Sequence, residues 1–177
     1  KAKIEGYDVL DELIEKAKTE VPNVDFFVGS IVDREMCKRE HANVALCLGV
    51  LPIFDTFENI INNLLYWTKS GGVIFIHGLF NDFPIDVNIK YNLSENYGKN
   101  ELEAGWNIFS KKTISDWLKH NHEVQEYRFD DFNLNIDLEP LEDPVRSWTV
   151  KNESGNRMIT NGLCLLQPHS ILYIKKM

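Results

Sequence analysis

The stretch that decides the fold is VALCLGVLPI at residues 44–53, followed downstream by SGGVIFI at residues 70–76. Each stretch contains an apolar run of strand length, bounded by glycine or proline. Between them, Thr56 is a candidate cap for a helix over residues 57–68. The inward face of that helix is predicted to consist of Phe57, Ile60, Ile61, Leu64 and Leu65. Two apolar strands joined by an amphipathic helix indicate a βαβ unit with parallel strands.

The sequence upstream of this unit shows the same alternation of strand and helix. Residues 3–7 are a short strand candidate that ends at Asp8, and residues 9–20 carry apolar side chains at helical spacing. Pro22 and Asn23 break the helix before a β-branched and aromatic strand. The predicted parallel strands are therefore residues 3–7, 24–28, 43–48 and 73–77.

The segment that follows the last of these strands has little periodicity. Residues 79–109 are too long for an ordinary connection, and long loops in compact domains are often functional. We predict that this segment is a substrate lid. Ser110 then caps a short helix whose inward residues are Ile114, Trp117 and Leu118.

The C-terminal part is predicted to add antiparallel structure to the sheet. Residues 123–129 alternate as a strand, and residues 170–175 form a last one; the two are expected to pair. Residues 130–169 are interpreted as an insertion. It contains a hairpin with strands at 147–151 and 157–161 around an Asn-Glu-Ser-Gly turn.

The composition fits one soluble globular domain over residues 1–177, with 44% hydrophobic and 26% charged residues. A net charge of −8 argues against nucleic-acid binding, and the pairs 111–112 and 175–176 are interpreted as solvated basic ends. No apolar run is long enough to span a bilayer, so no membrane association is predicted. Cys47 and Cys164 lie in apolar runs, which indicates small buried side chains and a reducing cytoplasm.

Three stretches resemble the class I S-adenosylmethionine-dependent methyltransferase family in order and spacing, over about residues 1–78. KIEGYDVL at 3–10 looks like the second strand of that family. PNVDFFVGSI at 22–31 looks like the third strand with the loop that brackets adenine. The opening pair, 44–53 and 70–76, looks like the fourth and fifth strands. The resemblance implies a doubly wound, mostly parallel, Rossmann-like α/β sheet with an antiparallel C-terminal strand.

One part of the family pattern is missing from this chain. The first strand and its Gly-x-Gly-x-Gly loop would precede Lys1, and no Gly-x-Gly occurs in the sequence. We therefore expect the sheet to lack its first strand and interpret Lys1 as a cut end. This fragment alone is expected to be inactive.

The resemblance implies S-adenosyl-L-methionine as cofactor and assigns six residues to it. Asp8 would hold the ribose; Val9, Ser30 and Ile31 the adenine; Gly49 and Val50 the floor under the methyl donor. Read without the resemblance, Asp8 caps the following helix and Ser30 belongs to an ordinary turn. The family usually has an acid where Ser30 stands, and a serine hydroxyl can accept the same bond more weakly.

His77 is the candidate catalytic residue, because it ends a strand at the edge of the sheet where open α/β sheets bind ligands. A neutral imidazole there could take a proton from a hydroxyl or amine nucleophile; otherwise His77 is a hydrogen-bonded structural residue. Tyr97 and Trp106 are predicted substrate contacts that pack over it. No metal site is predicted.

The implied function is methyl transfer to a small-molecule O or N nucleophile, with a homodimer left open. Two alternatives remain at this point. A nicotinamide-dependent Rossmann oxidoreductase also places an acid after strand two, but does not predict the closing C-terminal strand pair. A non-catalytic interaction domain would keep the fold without the cofactor.

Overall fold

The computed structural model describes residues 2–99 and 101–177; Lys1, at the start interpreted as a cut, and Asn100, within the predicted lid, lie outside the described residues. The strands are β1 (Glu5–Asp8), β2 (Asp25–Val28), β3 (Ala42–Leu48), β4 (Thr68–Asn81), β5 (Lys90–Tyr91), β6 (Glu103–Ala104), β7 (Phe109–Ser110), β8 (Val124–Asp131), β9 (Trp148–Lys151), β10 (Arg157–Thr160) and β11 (His169–Lys176). The helices are α1 (Asp11–Glu20), α2 (Glu58–Trp67) and α3 (Lys111–Lys119), with 3₁₀ turns at Arg34–Met36, Leu51–Ile53 and Ser94–Asn96.

The predicted helices are confirmed, and their starts differ in how they are capped. The Ser110 hydroxyl accepts a hydrogen bond from the Lys112 N–H at 3.1 Å, as expected for the cap of α3. The prediction that Thr56 caps α2 is wrong. Phe57 occupies the N-cap position, and its N–H donates to the carboxylate of Glu58 at 3.1 Å.

The main sheet has the strand order β3-β4-β11-β8, with β7 paired to the end of β4. β3 and β4 are parallel, whereas β11 runs antiparallel to both of its neighbours. β1 and β2 form a parallel pair of their own. The predicted pairing of residues 123–129 with 170–175 is confirmed as β8 with β11, and the predicted hairpin as β9 with β10. The α/β fold class is therefore confirmed.

The two parallel pairs are not joined by strand hydrogen bonds within residues 2–99 and 101–177, as predicted for the strands at 3–7 and 43–48. One edge of β1 and one edge of β3 therefore have no ladder partner in this part of the chain. A side-chain contact connects the two pairs instead. The Glu5 carboxylate on β1 lies 2.7 Å from Nε2 of His41, which immediately precedes β3.

Glu5 is held in its ionised form by several neighbours. Lys3 Nζ lies 2.6 Å from one carboxylate oxygen, and the Tyr7 hydroxyl donates to the other at 2.9 Å. The hydrogen bond from Lys3, followed by that from His41, lowers the pKa of Glu5 to about 2. The ionised form of Glu5 is therefore stabilised by folding.

We expect Glu5→Gln to remove part of the acid sensitivity of this fold. Because the folded-state pKa lies below the ordinary value of 4.5, the stabilisation is complete above that value and is lost as the pH falls through about 2. Urea unfolding at several pH values measures the effect. The free-energy gap between wild type and Glu5→Gln should narrow from about pH 5 to about pH 2. A gap that does not change with pH would show that Glu5 acts through packing alone.

One face of the main sheet is covered by α2 and α3, which together with it form the hydrophobic core. The predicted inward residues of α2 are all buried. The core comprises the buried side chains Cys47, Leu51, Phe57, Ile60, Ile61, Leu64, Leu65, Trp67, Ile74, Ile76, Phe80, Phe109, Ile114, Leu118, Leu172 and Ile174. Full burial of one such aliphatic side chain contributes about 1.5–3 kcal/mol.

The opposite face of β3 is uncovered in the described parts of the chain, and we call it the bare face. It consists of Val44, Leu46 and Leu48, which alternate along β3 with Ala45 and Cys47. Each of the three bare-face side chains is more than half exposed, while Cys47 on the other face is buried.

The Gly71-Gly72 pair before the predicted strand lies in a bulge within the long strand β4. Ala42 of β3 pairs with Thr68, but Val44 pairs with Val73, so the intervening residues of β4 are looped out. Gly71 has a φ of 73°, and a Cβ on Gly72 would lie 2.8 Å from the Asn43 carbonyl oxygen. Positive φ at one position and close backbone approach at the next explain the two glycines.

Two predictions about individual side chains are wrong. Lys176 is buried, because its ammonium group donates to the carbonyl oxygens of Leu65 and Thr68 at 2.9 and 3.0 Å at the end of α2. Cys164 is exposed, because it lies in a turn with a φ of 58° after β10. In the ranges that the structure covers, the helices are too short and too polar to cross a membrane.

Candidate functional site

The carboxyl ends of β1 and β2 bring the first group of predicted residues together. Asp8 ends β1, and its carbonyl oxygen accepts a hydrogen bond from the Gly29 N–H at 2.8 Å. Ser30 and Ile31 follow Gly29 directly, so the predicted ribose and adenine residues lie on adjacent loops. This is the edge at which parallel sheets bind ligands.

The Asp8 carboxylate has a structural role as well as a position suited to ligand binding. Its Oδ1 atom accepts a hydrogen bond from the Leu10 N–H at 2.9 Å, at the entrance to α1. The alternative that Asp8 caps α1 is wrong, because Leu10 occupies the N-cap position without a side-chain cap; Asp8 instead closes a turn just before the helix. Oδ2 is the oxygen that can accept from a ligand hydroxyl. Val9, which lies between Asp8 and Leu10 in the sequence, is exposed.

The loop at Ser30 and Ile31 is held in place by a residue that the sequence reasoning missed. The Asn63 amide nitrogen, on α2, donates to the Ile31 carbonyl oxygen at 2.9 Å, and Asn63 Oδ1 accepts from Arg34 Nε at 3.2 Å. Asn63 is fully buried. An amide on an otherwise apolar helix face was the available signal, because a buried amide needs partners across the core.

The second group lies at the end of β3 and on the adjacent part of β4; the prediction that His77 ends its strand is wrong, because β4 continues to Asn81. Leu48 is in register with His77, and the Gly49 N–H donates to the His77 carbonyl oxygen at 3.0 Å. Gly49 has a φ of 74°, which a side-chain-bearing residue adopts only with strain, and Val50 leads into the 3₁₀ turn. A Cβ on Gly49 would meet no atom within 4 Å, so open space lies above this loop.

His77 is half-buried and packs against two rings from the predicted insertion. Its ring centroid lies 4.5 Å from Phe132 and 5.0 Å from His169. Its Nε2 atom lies 3.0 Å from Nδ1 of His169. Burial lowers the pKa of His77, and burial, followed by the charge of His77, lowers the pKa of His169 to about 4. Both imidazoles are therefore neutral at neutral pH.

A cleft of about 990 Å³ opens beside His169, the hydrogen-bond partner of His77. Its walls come from the segment after β8, from the β9–β10 hairpin and from the residues before β11. Phe132 and His169 line one end. Arg157 in the wall lies 2.5 Å from the Asp137 carboxylate, which also pairs with Lys151 at 2.9 Å. The remaining polar lining consists mainly of amides: Asn133, Asn135, Asn156 and Gln167.

The prediction that Tyr97 or Trp106 packs over His77 is wrong. Tyr97 is 90% exposed. The segment 79–109 begins as part of β4 and is then anchored on the loop after β3, where the Asn107 N–H donates to the Pro52 carbonyl oxygen at 2.8 Å. Within the described residues, the aromatic neighbours of His77 are Phe132 and His169.

Comparison with solved structures identifies the fold. A S-adenosylmethionine-dependent methyltransferase from Methanosarcina mazei has a TM-score of 0.59 at 14% identity, over 99% of this chain and 82% of its own. The YcgJ protein of Bacillus subtilis has a TM-score of 0.60 at 14% identity, over 99% of this chain and 83% of its own.

A third solved structure contains ligands. The 1,6-didemethyltoxoflavin-N1-methyltransferase of Burkholderia thailandensis, with bound 1,6-didemethyltoxoflavin and S-adenosylhomocysteine, has a TM-score of 0.52 at 14% identity. The alignment covers 99% of this chain and 61% of that one. No protein-family model and no curated protein matches the sequence.

The chain has the fold of the class I S-adenosylmethionine-dependent methyltransferases. The C-terminal strands agree with this assignment, because β11 enters antiparallel beside β4 and pairs with β8. That strand pair is the feature that the nicotinamide-dependent alternative does not predict.

Proposed function

We propose that this chain, which has a methyltransferase fold, belongs to a protein that transfers a methyl group from S-adenosylmethionine to an uncharged small molecule with an O or N nucleophile. The observation that carries the proposal is the placement of Asp8, the Ser30 loop and Gly49 at the carboxyl ends of β1, β2 and β3. Open α/β sheets bind their ligands at this edge.

The residues at this edge fit the chemistry of the cofactor. The half-buried Asp8 carboxylate keeps Oδ2 available for ribose hydroxyls, since Oδ1 is used by Leu10. Val9, Ser30 and Ile31 would line the adenine, and Gly49 and Val50 would lie under the methyl donor. The open space above Gly49 suits that last role. The Burkholderia relative of this fold supports the cofactor assignment, because it binds S-adenosylhomocysteine.

His77 is the proposed proton acceptor for the nucleophile. When bound, the cofactor supplies an electrophilic methyl group. The protein then has to orient the acceptor in line, exclude water and remove one proton. Burial lowers the pKa of His77, so the imidazole is neutral and able to accept a proton at neutral pH.

The cleft beside His169 is the proposed acceptor site. Arg157 is the charged side chain of the walls and shares the Asp137 carboxylate with Lys151; the rest of the lining consists mainly of amides and apolar surface. An uncharged polar molecule fits such walls better than a cation does, because a cation there would lose water without gaining a partner. The Burkholderia thailandensis methyltransferase, which shares this fold, has a small molecule, 1,6-didemethyltoxoflavin, bound together with S-adenosylhomocysteine.

We expect Asp8→Ala to weaken cofactor binding about ten- to a hundredfold in the intact protein. The reason is the loss of a charge-assisted acceptor for ribose hydroxyls, which contributes about 1.5–3 kcal/mol. Calorimetric titration with S-adenosylhomocysteine measures the change. Asp8→Asn separates the two roles, because its amide oxygen can still accept from the Leu10 N–H while the negative charge is gone.

Asp11→Ala is the matched control for this titration, since Asp11 is an exposed acid in the first turn of α1. Its affinity should equal that of the wild type. Unchanged affinity in Asp8→Ala would limit Asp8 to its structural hydrogen bond with the Leu10 N–H. Failure of the wild-type protein to bind S-adenosylhomocysteine would instead favour the interaction-domain alternative.

A further inference from the structure

We infer that His169 and Gln167 are positioning residues that hold His77 in its Nε2–H tautomer, which leaves Nδ1 of His77 as the atom that accepts a proton. The catalytic consequence rests on the proposed methyl transfer. The tautomer does not, because it follows from the hydrogen-bond partners of the two rings.

The partners form a chain that begins in the wall of the cleft. The Ser147 hydroxyl donates to Oε1 of Gln167 at 2.6 Å. The same oxygen faces Nε2 of His169 at 3.5 Å, and Nδ1 of His169 faces Nε2 of His77 at 3.0 Å. Gln167 is buried, and its side-chain oxygen Oε1 has the Ser147 hydroxyl and Nε2 of His169 as polar neighbours.

With the Gln167 side-chain oxygen toward His169, counting donors and acceptors along this chain gives one consistent arrangement. A carbonyl oxygen can only accept, so the His169 nitrogen that faces Gln167 is the protonated one. A neutral imidazole carries one N–H, so Nδ1 of His169 then has a lone pair. That lone pair accepts from His77, which must carry its own hydrogen on Nε2.

The reverse arrangement would disable the proposed base. If Nδ1 of His169 were the donor, His77 would accept at Nε2 and carry its hydrogen on Nδ1. Its only lone pair would then be occupied by His169. In addition, the lone pair on Nε2 of His169 would point at the side-chain oxygen of Gln167. Two hydrogen-bond acceptors would then face each other without a hydrogen between them.

The backbone fixes both rings in the positions that this arrangement requires. His77 and Leu79 lie on β4, and β11 pairs with it so that Leu79 is in register with His169. The planes of the two imidazoles are nearly parallel, with an interplanar angle of 16°. The ring centroid of Phe132 lies 4.5 Å from that of His77 and 5.8 Å from that of His169. Preorganised partners of this kind orient a functional histidine without touching the substrate.

Nitrogen-15 NMR of the histidine rings tests the inference in the protein without any ligand. Two-bond correlations from the ring C–H groups distinguish an N–H nitrogen from one with a lone pair. The chain has five histidines, and the spectrum of His77→Asn assigns the signals of His77. We expect a lone pair at Nδ1 and a hydrogen at Nε2 of His77 in the wild type.

Three variants sharpen the test. His169→Phe keeps an aromatic ring against His77 but removes the acceptor, so His77 should populate both tautomers. Gln167→Glu keeps a carbonyl-type acceptor and should keep the tautomer. Phe132→Leu removes a ring contact without changing a hydrogen bond, so its tautomer should also match the wild type. Turnover of S-adenosylmethionine in His169→Phe should fall with the fraction of His77 that keeps the Nδ1 lone pair, about twofold when both tautomers are equally populated.

The outcomes separate this inference from the proposed function. A hydrogen on Nδ1 of His77 in the wild type, or an unchanged His77 pattern in His169→Phe, would overturn the inference even if S-adenosylhomocysteine binds. The predicted tautomer in a protein that does not bind S-adenosylhomocysteine would support the positioning role and contradict methyl transfer.

Discussion

Replacing His77 with asparagine is expected to slow methyl transfer by about 10²–10⁴-fold, the contribution typical of a positioned general base. His77 lies on β4 in register with Leu48 at the end of β3, and its ring contacts His169, which lines the cleft of about 990 Å³. Asparagine retains a polar side chain of similar reach but cannot take a proton at neutral pH. Cofactor affinity should be unchanged, because the proposed cofactor residues lie on β1, β2 and β3.

A panel of small phenols, amines and heterocycles is first screened for a molecule that the wild-type protein methylates. The rate of S-adenosylhomocysteine release with that acceptor is then measured for wild type and His77→Asn. His122→Asn is the matched control, since His122 is exposed and lies outside the proposed site. A His77→Asn enzyme that keeps the wild-type rate across about pH 6–9 would rule out a base at this position. The reaction would then depend on positioning of an acceptor that is already a good nucleophile.

Leu172→Ala is expected to destabilise the protein by about 2–5 kcal/mol, the range for emptying a fully buried leucine site. Leu172 is at the centre of β11, is 0% exposed and packs with the α2 and α3 residues of the core. Strands bond to β11 on both sides, so the surrounding backbone has little freedom to collapse into the cavity. Urea unfolding measures the change in the free energy of unfolding. The comparison requires that the dependence of this free energy on urea concentration be the same in both proteins.

Leu46→Ala supplies the control for the same chemical change on the bare face. Leu46 is 61% exposed, so truncation removes little buried area and should change stability by less than about 0.5 kcal/mol. Equal destabilisation by the two substitutions would contradict the assignment of covered and bare faces. A stabilising effect of Leu46→Ala would not contradict this assignment, since an exposed apolar side chain contributes little to the free energy of unfolding.

The sequence was sufficient to predict the regular elements because their signals are local. The 3.6-residue spacing of apolar side chains over residues 57–68 predicts α2, and period-2 alternation predicts β8 and β11. The full length of β4 was missed. Its start is a bulge that depends on pairing with β3, and its end continues past His77 into a region predicted as lid.

The candidate site was predictable only in its first half. Asp8, Ser30 and Gly49 follow their strands directly, so the end of each strand locates them. The partners of His77 were missed because they come from the insertion, where periodicity is weak. His169 is 92 positions from His77, and only the antiparallel pairing of β11 with β4 brings the two rings together. Tyr97 was misassigned for the same reason, because the path of a long loop depends on contacts that lie far away in the sequence.

The position of β11 between β4 and β8 also has a consequence for biosynthesis. The ribosome delivers a chain from its N-terminus, so β4 and β8 emerge well before residues 169–176. Until those residues leave the exit tunnel, the two strands that will flank β11 have open edges, and the side chains that Leu172 and Ile174 later cover are exposed to water. The main sheet therefore cannot be completed until β11 inserts between β4 and β8.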